Sequence, residues 1–302
     1  MKWKISARIW PPVLLVSLSL IQPVGARIIT VDDDAPADFN NIQAAINDAN
    51  DGDTVEIQPG RYTGPGNYNI VFHGKAINVR GTNPEDFDIV AATVIDCNNA
   101  LDTCGFVFGV SEDANSVLSG LTITKGTGKH SLSGWADAGA IACHGGSPTI
   151  TNCILTRNSG SGGAIGANEQ SDLIVKNCII THNISNGYGG GIFCTDARSA
   201  TIENCIVSNN RSSHWGGGIR IRCDEPSIVR NCIITGNKSE VGGGISARAS
   251  DFVVTGCVIT GNIVTERGGG ISARQYCQLA VSHSIVCENY APEGPEIALY
   301  DG

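Results

Sequence analysis

Beyond about residue 140 the apolar residues of this chain recur in columns. The phrase "NCIITGNKSEVGGGI", Asn231 to Ile245, returns as "NCILTRNSGSGGAI", "NCIITHNISNGYGGGI", "NCIVSNNRSSHWGGGI" and "GCVITGNIVTERGGGI". A further copy begins "HSIVCEN". The series Cys153, Cys178, Cys205, Cys232, Cys257, Ser284 steps by 25, 27, 27, 25 and 27 residues, a period that marks a solenoid. Aligning the copies gives three inward ladders. The first is Ile141, Ile165, Ile192, Ile219, Ile245, Ile271. The second is Ile150, Val175, Ile202, Val229, Val254, Val281. The third is Leu155, Ile180, Val207, Ile234, Ile259, Val286. Each repeat therefore predicts three short strands, and parallel stacking of such repeats makes a triangular β-helix. One repeat alone cannot bury its apolar side, but each stacked ladder residue contributes roughly 1.5–3 kcal/mol.

The polar positions of the repeat are predicted to be structural. Asn152, Asn177, Asn204 and Asn231 share a column with Gly256, and Asn and Gly both tolerate positive φ. That column predicts a left-handed corner between the second and third strands. Asn158, Asn183, Asn210, Asn237, Asn262 and Asn289 close the third strand, where their amides can bond from rung to rung. "GGGI" lacks the lysine and the strand–loop–helix setting of a phosphate loop. The Cys column suits a small, half-apolar side chain, and five stacked thiols cannot all pair. Cys143 and Cys194, with Ala167 between them, lie about 9.6 Å apart on 4.8 Å rungs, too far to bridge. Cys97 and Cys104 form the best candidate disulfide. No zinc-type spacing of Cys or His occurs.

Upstream, "ADFNNIQAAINDANDG" places Phe39, Ile42, Ala45, Ile46 and Ala49 at helical spacing. Asp38 to Asn41 offer caps and Gly52 a stop. "TVEIQPGRY" then alternates as a strand. The helix is expected to close the open end of the solenoid. Residues 1–26 have a basic start (Lys2, Lys4, Arg8), an apolar run from Val13 to Ile21, and "VGA" before Arg27. The run is too short to span a bilayer, so the segment is expected to be a secretory leader rather than an anchor or integral domain. The β-helix domain then occupies 27–302. Loss of the leader makes a chain of formal charge −9 three charges more acidic, a poor match for nucleic acid. The 38 glycines and few aromatics fit many tight turns between short strands.

The repeats, the helical lid and "TVEIQPGRYTG" together resemble the right-handed parallel β-helix repeat proteins of the pectin-lyase-like superfamily. "GGAI" at Gly162 to Ile165, with phrases such as "ITHN", is also similar to the repeats of polymorphic outer-membrane proteins. The resemblance implies an all-β, right-handed, single-stranded parallel β-helix with three strands per coil. It also implies that the first strand and its flanking loops form a polysaccharide groove.

On that strand the outward positions hold Arg220, Arg222, Arg248 and Arg274. Asp196, Asp224, Glu225 and Asp251 follow in the next turn, and the preceding loop stacks Tyr188 on Trp215 with His214 beside it. Arginine fits uronate carboxylates and aromatic rings suit sugar faces. A salt-bridged solvent face is the competing interpretation of the same residues. The candidate glycan-binding face is thus Tyr188, Trp215, Arg220, Arg222, Arg248, Arg274, Asp196 and Asp224. Catalytic signatures are broken: "CHGG" and "RIR" are faint echoes, without paired carboxylates beside them. The expectation is a secreted or cell-surface protein with a glycan-binding, adhesion or structural role and no chemistry, its partner a polysaccharide or cell-surface glycan. The alternatives are a lyase or glycosidase for uronate-containing polysaccharide, or a structural passenger. No cofactor is expected; calcium at Asp32, Asp33 and Asp34 is the one metal considered, against a plain solvated turn. "APEGPEIALYDG" begins a strand with no cap, so further sequence or a partner is expected to cover that end.

Overall fold

A computed structural model describes residues 25–128 and 137–300. The expected leader, 1–26, therefore falls almost wholly outside the described residues. Among those described, the strands form three long parallel sheets, one on each face of a solenoid. The first face runs from Ile70–Val71 to Ile297–Tyr300, the second from Ile28–Val31 to Leu279–Ser282, and the third from Gly60–Tyr62 to Ile285–Cys287. The three ladders pair in the expected register. Ile141 meets Ile165 on the first face, Val175 meets Ile202 on the second, and Ile180 meets Val207 on the third. Their side chains are buried except at the last rung, where Val281 and Val286 are partly exposed. One apolar cluster runs without interruption from Ile29 to Ala273.

The corners also form as the residue types predict. Asn152, Asn177, Asn204 and Asn231 have φ of 51–54°, and Gly256 has φ 65° in the same column. His283 takes this role in the last copy, at φ 49°. The second Asn column is a buried ladder. Asn237 Oδ1 accepts from Asn210 N at 3.0 Å and from Asn210 Nδ2 at 3.1 Å, while Asn237 Nδ2 donates to the Val207 carbonyl at 2.9 Å. The glycine triplets stand where rungs approach closely. A Cβ on Gly217 would lie 2.6 Å from the Gly243 carbonyl oxygen.

Four expectations need correction. Helix α1 spans Ile42–Asp48, capped by Asn41, whose Oδ1 accepts from Ala44 N at 2.9 Å. It ends at Ala49, not Gly52, and Phe39 lies outside it, bridged to Val31 because its backbone bonds Thr30 and Asp32. "TVEIQPGRY" is two strands on different faces, Thr54–Ile57 and Gly60–Tyr62, since Pro59 makes a corner between them. A second helix, α2 (Phe87–Ala92), buries Val90 alone among its residues, so it leaves no apolar period in the sequence. Finally, a short fourth sheet follows the Asn ladder: Ser159–Gly160, Ile184–Ser185, Arg211–Ser212, Lys238–Val241 and Ile263–Arg267.

All twelve cysteines are free thiols, Cys97 and Cys104 included. The Cys104 thiol donates instead to the carbonyls of Phe106 and Ala140, at 3.1 and 3.4 Å. Cys143 and Cys194 are separated by Ala167 as expected. In the long column the backbone N–H of Cys153, Cys178, Cys205 and Cys232 points at the next rung's sulfur, as from Cys178 to Cys205 at 3.5 Å, and that of Cys257 donates to Ser284 Oγ at 3.1 Å.

Candidate functional site

The first face carries a recess of about 210 Å³ over the strands Ile192–Ala197, Ile219–Cys223 and Ile245–Arg248. Period-two alternation sends Ile219 and Ile221 inward and Arg220 and Arg222 outward. The loop before each glycine triplet then folds over that outward face. This brings Tyr188 and Trp215 together, ring centroids 5.1 Å apart, with Phe193 5.6 Å beyond Tyr188. His214 also packs against Tyr188, at 5.6 Å.

Arginines line the rest. Arg274, two rungs along, lays its guanidinium 3.6 Å from the Trp215 ring centroid, and Arg220 lies 5.0 Å from the same ring. Both are cation–π distances. Arg220 is only 3% exposed, although its position faces outward from the sheet, because the loop and its aromatic rings cover it. Its hydrogen bond is to Ser246 Oγ at 2.8 Å. Burial, with Arg274 and Arg248 nearby, lowers its pKa to about 9. Arg274 is likewise lowered by burial, and its Nη2 is buried without a hydrogen-bond partner. Arg248 Nε donates to Gln275 Oε1.

Acids are scarce here. Among the described residues one carboxylate lies within 4 Å of these four arginines: Asp196, 3.2 Å from Arg222. Asp196 does not sit in a following turn. It occupies a bulge inside the strand Ile192–Ala197, at φ 49°, which re-aims its side chain toward Arg222. Asp224 is not at the site. It accepts from Gln170 Nε2 at 2.7 Å and lines a separate recess with Asp251 and Tyr276. Of the eight candidate residues the structure thus unites seven around Trp215. Phe193 and Ser246 complete the group. Phe193 carried a signal: it is a bulky aromatic in an outward column that, apart from Arg220, holds only the small residues Ala142, Gly166, Ser246 and Ser272.

The aspartates considered for calcium do converge. Ligand atoms of Asp32, Asp33 and Asp34 lie within 4.8 Å of one another at a largely exposed turn. A side-chain hydrogen bond with Asp32, and then the charges of Asp32 and Asp33, raise the Asp34 carboxyl.

Residues 66–214 and 182–302 match the family described as right handed beta helix region. The chain belongs to that family. No curated protein matches this right-handed β-helix protein. A solved structure of pectin methylesterase from carrot is similar at 13% identity, over 92% of this chain and 89% of that one, with a TM-score of 0.43. No helix among the described residues of the β-helix protein is long and apolar enough to cross a membrane.

Proposed function

We propose that this β-helix protein is exported and binds an acidic, uronate-containing polysaccharide at the Trp215 recess, without cleaving it. The observation that carries this reading is the arginine group itself. Arg220, Arg248 and Arg274 meet around Trp215 with no carboxylate within 4 Å among the described residues, and Arg220 is nearly fully buried. Holding a guanidinium out of water without a counter-ion is costly, and a ligand carboxylate removes that cost with charge-assisted hydrogen bonds. Tyr188 and Trp215, half-buried, offer apolar ring surface beside the charge. Export rests on the basic, apolar and small-residue order of residues 1–26.

The test is calorimetric titration of the mature chain with a galacturonate oligomer and its neutral galactose counterpart. The acidic oligomer should bind, and Arg248→Ala should weaken it at least about tenfold, or 1.4 kcal/mol. Unchanged binding after the joint Arg222/Arg248/Arg274→Ala change sinks the recess as the site. One observation favours a second reading, a lyase. A guanidinium lowered to about 9 is the side chain here best able to take a proton from a sugar carbon. Unsaturated uronate product formed by the wild type and abolished by Arg220→Met replaces the binding-only reading.

A further inference from the structure

The solenoid core holds a single file of sulfurs. Cys153, Cys178, Cys205, Cys232 and Cys257 are free thiols, buried at one equivalent position on five successive rungs. Their side chains repeat one arrangement: each thiol donates to the carbonyl two residues before it, at 3.1–3.5 Å. The strands that follow them are parallel and in register. Like side chains on such strands repeat with the rungs, so neighbouring sulfurs stand about 4.8 Å apart. Packing alone does not require sulfur here, because Ser284 holds the same position in the next copy and accepts from Cys257 N at 3.1 Å.

Three features fit this file to a cation. The first is spacing. A metal–thiolate bond is about 2.3 Å long, so an ion in line between two sulfurs needs them about 4.6 Å apart. The rungs already hold them near that distance. The second is support for the thiolate. A buried charge is costly, but a hydrogen bond donated to a sulfur favours its ionised form. The sulfurs of Cys178, Cys205, Cys232 and Cys257 each receive a backbone N–H from the preceding rung at 3.5 Å. The third is that loss of the thiol proton strands no acceptor. The Lys176 carbonyl, which takes the Cys178 proton, also accepts from Asn152 N at 3.1 Å, and the Glu203 carbonyl beside Cys205 accepts from Asn177 N at 3.0 Å.

We propose that the thiol file is a buried site for a soft monovalent cation of the copper(I) class, each ion held in line between the sulfurs of adjacent rungs. Thiolates select soft ions, and a file offers an ion two sulfurs rather than the four ligands of structural zinc. Two thiols release two protons as the ion makes two metal–sulfur bonds, which leaves one negative charge shared by the pair. Five sulfurs hold two ions in this way. The site is separate from the Trp215 recess and does not depend on the function proposed for it.

The experiment counts copper(I) held by the reduced whole chain against a chromophoric copper(I) chelator, without oxygen. The chain is refolded from urea with copper(I) present, so that burial does not limit entry. Two variants carry serine, which Ser284 shows the column accepts. Cys178→Ser/Cys232→Ser leaves three thiols of the file two rungs apart, about 9.6 Å, and should hold two ions fewer than the wild type. Cys178→Ser/Cys205→Ser also leaves three, but keeps Cys232 beside Cys257, and should hold only one fewer. The seven other cysteines are the same in all three proteins, so these differences report the file alone. Circular dichroism checks that the variants fold. X-ray absorption on the wild type should show two sulfurs in line about each ion of the file, as the difference from the Cys178→Ser/Cys232→Ser variant. Equal copper in the two variants overturns the proposal. So does a wild type that yields all its copper to the chelator, or one that holds copper only with loss of its β-sheet dichroism.

Discussion

Arg220 shows how a side chain can face away from a core and still be dry. Its strand points it outward, and Trp215 from the preceding loop and Arg274 from two rungs along close over it. With its pKa near 9 it holds its proton at neutral pH and loses it well before an ordinary arginine does. Two pH effects of opposite sign follow. The unfolded chain keeps this proton above pH 9 while the native state releases it, so Arg220 makes native stability rise with pH from about 9 upward. Anion binding needs the charged form, so affinity for an acidic oligomer should be flat from neutrality to about pH 9 and then fall. The fall should approach about tenfold per unit. Titration calorimetry across that range checks this, with Arg220→Met expected to bind weakly and to flatten the profile. A wild-type affinity that stays level beyond pH 10 overturns the assignment. At this scale the sequence showed which residues face outward, because alternation within a strand is local. It did not show that Arg220 is covered, that Asp196 sits on a bulge or that Asp224 turns away. Each of these depends in part on residues far along the chain, such as Arg274 for Arg220, Arg222 for Asp196 and Gln170 for Asp224.

A rung is the element of this molecule, and its corners are as specified as its strands. Asn237 is held on both sides: it accepts from Asn210 and donates to the Val207 carbonyl and to Asn262 Oδ1. Asn237→Ala leaves those buried groups unpaired and should cost about 3 kcal/mol in urea unfolding. Asn231 is different, because its work is conformational and Gly256 already does it one rung later. Asn231→Gly should therefore change stability by less than about 1 kcal/mol. Equal losses from the two changes contradict this division of roles. The ladders and both Asn columns were legible because they repeat, and repetition averages away local ambiguity. The fourth sheet was not, since most of its strands hold too few residues to show a period. Near the N-terminus, where copies diverge, the α1 boundary, the split at Pro59 and helix α2 all escaped for the same reason.

The whole molecule is a stack in which the strands of each rung pair only with those of its neighbours, so stability is close to a sum of rung and interface contributions rather than one global term. Fraying should start at an end and stop where neighbouring rungs hold. The thiol column supplies a built-in reporter of that process. Cys153, Cys178, Cys205, Cys232 and Cys257 are buried at one equivalent position in five successive rungs. A thiol buried among the apolar ladders is out of a reagent's reach while its rung is closed. Each should react with an alkylating reagent only while its own rung is open. Timed labelling read by peptide mass should then order the five positions, Cys257 ahead of Cys205 if opening begins at the Val281 rung. Simultaneous labelling of all five would mean a single cooperative unit. The same row of sulfurs thus turns a packing solution into a clock, with one hand per rung.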